Sequence, residues 1–198
     1  MSQMYQIQLS SSVTRRVDAA DEITYPIELT EILPSDDMRE LFRQALEKRG
    51  FENDGNSADG HRLMGRGPAG EELTVDLNEM KVTARLEKAA DLSTEVSLNQ
   101  WVDEEYLDDA RAAATDTMAQ KRRVAEAQLR KEADGIQKDL SKRLADSEDA
   151  RQRQLHEALQ EAYAEALKQK AGQLGDITEM TEGTTADGQY ELVIRVSQ

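Results

Sequence analysis

Hydrophobic side chains fall on every second residue near the start of the chain, at Tyr5, Ile7, Leu9 and then Val13, and again at Ile23, Tyr25, Ile27 and Leu29. A period of two places such residues on one face of a half-buried strand. Pro26 has no amide hydrogen for a ladder, so the second run is expected at a sheet edge or at a break. The polar residues Asp18 to Asp21 are expected to turn the chain between the two runs. The period then lengthens: Met38, Leu41, Phe42, Ala45 and Leu46 make one apolar stripe of a helix expected over 35–49. Ser35 is its expected N-cap, Asp36 and Asp37 suit its first turn, and Gly50 followed by Phe51 suits a Schellman stop.

Beyond the polar loop 52–60, alternation returns at His61 to Met64, at Leu73, Val75 and Leu77, and at Met80, Val82, Ala84 and Leu86. The turns Gly67-Pro68-Ala69-Gly70 and Asn78-Glu79 between these runs predict an antiparallel meander. Val96 and Leu98 add a short piece before Trp101.

From Asp103 to Gly172 the chain has no proline and is rich in Ala, Leu, Glu, Gln, Lys and Arg, the strongest helix formers. Apolar residues recur at steps near three and four from Tyr106 through Ala114, Met118, Ala125, Leu129 and Ala133 to Leu140 and Leu144. The stripe fades over 145–154 and resumes at Leu155, Leu159, Ala162, Tyr163, Ala166 and Leu167. After it, Tyr190, Leu192, Ile194 and Val196 form the cleanest alternation in the chain, and such a strand needs a sheet. One straight helix over 103–172 would separate that strand from the others by about 105 Å. A helical hairpin is therefore expected, with its turn either at Asp134-Gly135 or in the polar stretch 146–149; a dimer of continuous helices exchanging strands is the second arrangement.

These patterns predict an α+β fold: a small, mostly antiparallel sheet with one packed helix (35–49) and a long inserted α-helical coiled-coil hairpin (103–172). The expected domains are a sheet domain from 1–102 plus 175–198 and a helical arm over 103–174.

Charge narrows the function. The formal net charge is −15, and the aromatic content of 4% is low for a compact globule. An acidic surface repels phosphate backbones and anionic lipid, so nucleic acid and membrane insertion are not expected. No window approaches the roughly 18 apolar residues of a membrane span. The first residues lack both a basic start and an apolar run of signal-peptide length, so a cytoplasmic location is expected. Without cysteine there is no disulfide or thiolate metal site.

Candidate chemistry is sparse. His61 and His156 lie in different segments without a second histidine at ligand spacing, and the acidic loop 52–60 lacks EF-hand spacing. Gly65-Arg66-Gly67-Pro68-Ala69-Gly70 lacks the lysine and the following helix of a phosphate loop, so it reads as a hairpin loop. Lys121-Arg122-Arg123 is the densest basic run and reads as a solvated helix face. Trp101, where strands meet helix, reads as a packing anchor. No catalytic, cofactor-binding or metal-ligating residue is expected, no cofactor is implied, and the chain is not expected to be an enzyme.

The segments Ala166 to Met180, with Gly175-Asp176-Ile177, and Gly188 to Val196, with Tyr190-Glu191-Leu192-Val193-Ile194-Arg195, resemble the ending of small accessory proteins of bacterial ternary systems. Those systems combine an FtsH-like AAA+ component, a MoxR-like ATPase and a von Willebrand A-domain protein. The resemblance implies a non-enzymatic adaptor working beside ATPases, and it carries over no functional residue. The expected function is thus a non-catalytic adaptor engaging a protein partner, such as an AAA+ ATPase or its associated proteins, through the helical arm. The alternative is a scaffold that homo-oligomerises through the coiled coil, which leaves a homodimer open.

Overall fold

The structure, a computed structural model, describes residues 3–55, 60–184 and 190–197. Residues 56–59 of the acidic loop and 185–189 before the last strand lie outside the described residues.

The two alternating runs at the start are not two strands. They form one, β1 (Met4–Pro26), and the pieces expected around residues 80–100 likewise form one strand, β5 (Lys81–Asp103). The polar residues 18–21 therefore do not turn the chain: alternation that stays in phase through a polar gap lets the strand continue. Helix α1 (Ser35–Glu47) follows, then β2 (Glu52–Asn53), β3 (Arg62–Arg66) and β4 (Glu72–Asp76). The five strands form a sheet in the order β1-β5-β4-β3-β2, with antiparallel pairing that matches Leu63 to Val75 and Val75 to Val82. Along β1 and β5, Gln3 accepts from the Glu104 amide and Thr24 faces Thr83 across 3.0 Å, so one antiparallel register holds from end to end.

Helix α1 ends as its sequence dictates. Gly50 takes φ +84°, Gly50 N–H donates to Glu47 O and Phe51 N–H to Leu46 O, and Phe51 is buried. These are the two bonds of a Schellman stop. Its start differs from expectation: Pro34 occupies the cap position, Ser35 is already helical, and no side chain caps the helix.

A short 3-10 turn (Glu104–Tyr106) leads into α2 (Leu107–Asp146), then α3 (Glu148–Leu174), β6 (Asp176–Thr184) and β7 (Tyr190–Ser197). Gly135 lies inside α2. The interruption is at Ser147, in the second stretch proposed for the turn. Ser147 N–H donates to Arg143 O and Arg151 N–H to Ser147 O, with φ −87° and ψ −2° at Ser147. Helical bonding thus runs through the junction, and the chain does not reverse there as the expected hairpin requires.

A further difference concerns the last strands. β7 pairs with β6 in a separate two-stranded sheet and, among the described residues, does not join the five-stranded one. The demand of β7 for a neighbour is met locally, so the distance argument for a hairpin loses its premise.

The chain divides into two compact units, Met1–Asp21 with Glu87–Lys142, and Glu22–Leu86 with Arg143–Gln198. The cuts differ from the expected sheet domain and helical arm, because each unit takes parts of both strands and helices. In the first unit, Met118, Ala125 and Leu129 of α2 share a core with Val13 and Val96, flanked by Leu9, Leu92 and Leu98. The seam of α2 is therefore covered by strands, not by a second helix. In the second unit, Met38, Phe42 and Leu46 of α1 and Leu63, Leu73, Val75 and Val82 of the sheet are fully buried. There α1 packs on α3, with Lys48 and Arg49 both ion-paired to Glu161.

Candidate protein-interaction surface

In the first unit the outer side of α2 is the candidate surface. Between residues 107 and 142 the buried helix positions are Ala114, Met118, Ala125, Leu129, Ala133 and Leu140, a single stripe at steps of four and seven. Everything else on that part of the helix is exposed or half-exposed, including Val124 at 62%. Residues 117–131 carry five basic side chains, Lys121, Arg122, Arg123, Arg130 and Lys131, against one acid, Glu126. In a chain of net charge −15 this is a basic island. The Lys121 ammonium donates to Ser97 O at 2.8 Å, which fastens one end of the island to β5. Arg122, Arg123, Arg130 and Lys131 stand exposed beyond it.

Trp101 is not the packing anchor its position suggests. It is 62% exposed on β5, beside Gln6 and Asn99, whose carboxamides are bonded to each other at 2.8 Å. The alternation explains this: Leu92, Val96 and Leu98 hold the even, inward positions of β5, so odd-numbered Trp101 must face away. His61 and His156 are both exposed.

The second unit holds a polar centre that the sequence reading missed. Glu71 and Arg151 are both fully buried, and Arg151 Nη1 reaches Glu71 Oε1 at 3.0 Å. The same nitrogen donates to Ser147 Oγ at 2.9 Å and to Leu144 O at 3.3 Å, and the Ser147 hydroxyl lies 3.2 Å from Glu71 Oε1. Glu71 Oε2 accepts the Ala69 amide at 2.7 Å, while Arg143 Nη2 donates to Ala69 O. The turn between β3 and β4 is thereby tied to the junction of α2 and α3. Gly67 permits it: a Cβ there would lie 2.3 Å from the Glu71 carboxyl carbon.

The Arg151 guanidinium also sits 6.0 Å from the Tyr25 ring centroid, within cation-π range. Burial pushes the Tyr25 hydroxyl above its ordinary pKa of 10.0, opposed by the charge of Arg151. Among the described residues, Tyr25 Oη and Arg151 Nε have no partner within hydrogen-bond geometry. Chemically this centre fixes geometry: a carboxylate shared by a guanidinium, a hydroxyl and an amide, closed from solvent, orients backbone segments.

The polar centre had a sequence signal. Glu71 is in phase with the inward residues Leu73, Val75 and Leu77, and Ser147 and Arg151 are in phase with Leu144, Leu155 and Ala158. The stripe that fades at 145–154 is continued there by polar residues.

The chain matches the model of the family described as FtsH ternary system domain X5 over residues 1–197. It belongs to that family. The kinship inferred from the C-terminal segments thus extends over the whole X5 chain, β1, α2 and the polar centre included. No curated protein and no solved structure matches the chain. Membership associates this X5 domain with an FtsH ternary system, an AAA+ setting in which protein partners are expected. Among the described residues no helix is long and apolar enough to cross a membrane.

Proposed function

We propose that this X5 domain is a non-catalytic accessory protein that engages an acidic surface of a partner in its AAA+ system through the outer side of α2. The observation that carries the reading is the basic island around Arg122, Arg123, Arg130 and Lys131, exposed on a helix whose opposite side is held by strands. Charge complementarity of this kind steers encounter and fixes register more than it sets raw affinity. The buried centre in the other unit serves to hold β3, β4 and the helical junction together. A short basic run alone reads as a solvated helix face; its isolation in a chain of net charge −15 supports the interaction role.

Scaffolding through a coiled coil draws less support. Its seam residues, Met118, Ala125 and Leu129, already pack on Val13 and Val96. The test is binding of the purified FtsH-like and associated components to the wild-type domain and to the double variant Arg122→Glu, Arg123→Glu. Loss of binding with an unchanged circular dichroism spectrum is expected. Undiminished binding would remove the proposal.

A further inference from the structure

Strand β1 is the outer strand of its sheet. A free edge is a row of backbone donors and acceptors, and folded proteins blunt such edges with charges, prolines or bulges. Over residues 4–14, Met-Tyr-Gln-Ile-Gln-Leu-Ser-Ser-Ser-Val-Thr, there is no charged residue and no proline. The constant register with β5 leaves no net bulge either.

The register also says which groups are open. Gln3 O accepts from Glu104, and Ile27 N–H donates to Met80 O, so odd-numbered residues of β1 bond inward to β5. Gln6, Gln8, Ser10, Ser12 and Thr14 accordingly turn their N–H and C=O to the open edge. Two other outward carbonyls are covered by α2: Ala20 O takes the Gln137 carboxamide and Ser97 O takes Lys121. Among the described residues, nothing covers the outward groups of 4–14.

We infer that this edge pairs antiparallel with the same edge of a second copy of the chain. Charge selects the occupant. Copies of net charge −15 repel, and the outer edge of β5 over 87–103 carries Glu87, Asp91, Glu95 and Asp103 against one lysine. Residues 4–14 form an uncharged stretch that two copies can bring together. Outward bonding by even residues fixes the parity of the pairing, and the apolar positions choose its register. With Gln8 opposite Ser10 of the second copy, Leu9 meets Leu9 on the two-fold axis and Tyr5 meets Val13. Leu9 is half-buried and Tyr5 37% exposed in the single chain, so both gain cover. The contact is isologous and closes after two copies.

The test uses the full chain in light scattering over a concentration series. The expected mass is twice the 22.2 kDa of one chain. Ser10→Pro removes an outward amide at two symmetry-related sites without touching the bonds to β5, and should weaken dimerisation roughly 30-fold. Ser10→Lys should act in the same direction by adding like charge at the edge. Because the chain has no cysteine, Leu9→Cys gives an independent reading. Directly opposed residues at a non-hydrogen-bonded position lie about 4.5 Å apart between Cα atoms, within disulfide reach. It should cross-link on mild oxidation, whereas Ser12→Cys, offset by about 20 Å from its own copy, should not. If Ser10→Pro loses the wild-type circular dichroism spectrum, the cross-linking pair decides. A strictly monomeric mass at millimolar concentration overturns the inference. So does a dimer that Ser10→Lys leaves intact, or one in which Leu9→Cys fails to cross-link.

Discussion

The two compact units are built on the same strands and the same helical stretch, yet they spend them differently. In the second unit Phe42, Met38, Leu46, Leu63, Leu73, Val75 and Val82 are wholly buried, and even a carboxylate and a guanidinium are closed from water. In the first, one stripe of α2 lies on a two-stranded ribbon, and its core residues Met118, Ala125 and Val13 retain 7–8% exposure. Each fully buried large apolar side chain contributes about 1.5–3 kcal/mol, so the deep core is the more stable. Alanines in the thin core contribute less. Burial is thus divided unevenly between the units: the second holds the deeper core, and the first leaves the outer side of α2 and the β1 edge open.

The largest effect should come from the polar centre. Arg151→Ala leaves the Glu71 carboxylate buried without its guanidinium, and breaking such a pair costs about 3–5 kcal/mol. Urea unfolding should show this loss, and the double variant Glu71→Leu, Arg151→Met should recover most of it. A single-variant loss below about 1 kcal/mol would mean that the centre is hydrated and the contrast overstated.

Next come the two cores. Phe42→Ala should cost about 3–5 kcal/mol, and Met118→Ala should fall near 2 kcal/mol, the lower end of the range for methionine. Equal losses in thermal or urea unfolding would erase the difference between deep and thin packing.

A smaller effect depends on pH. The folded state holds Tyr25 neutral with its pKa raised above 10.0, by burial first. The associated stability is fully present below pH 10.0 and is lost as pH rises from there through the folded value. Absorbance titration near 295 nm should show a late-ionising tyrosine in the wild type that is lost in Tyr25→Phe. Glu161 moves the opposite way, its pKa lowered by hydrogen bonds from Lys48 and Arg49. Its contribution is present above the ordinary carboxylate value and fades as pH falls through the lowered one.

The smallest effect is expected at Trp101. Being largely exposed, it should change stability by no more than about 0.5 kcal/mol on replacement by alanine. Its fluorescence should already be that of a solvated indole, and a blue-shifted emission would place it in a contact.

Much of this contrast was legible in the sequence. The stripe of α1, its Gly50-Phe51 stop and the meander through Leu73, Val75 and Val82 follow from period and turn chemistry alone. The helical break near 146–149 was legible as a loss of apolar residues. The nature of that break was not, because Ser147 and Arg151 are inward residues that a hydrophobic pattern counts as outward. Their partner Glu71 lies 80 residues from Arg151, and no local rule couples positions that far apart. The lengths of β1 and β5 were hidden for a related reason: Ser11 and Asp21 in β1 and Lys88 and Thr94 in β5 hold inward-facing register positions and interrupt the apolar count without interrupting the strand. What covers the seam of α2 could not be read at all, since strands and a second helix offer the same apolar face.

On the proposed function, partners are met by the thin first unit while the deep second unit serves as the anchor. Hydrogen exchange of the full chain with and without the purified FtsH-like component tests it most directly. New protection is expected over residues 107–142, centred on the Lys121 to Lys131 island, with the amides of α1, β3 and β4 unchanged. Protection confined to residues 22–86 and 143–174, with 107–142 exchanging as in the free chain, would contradict it.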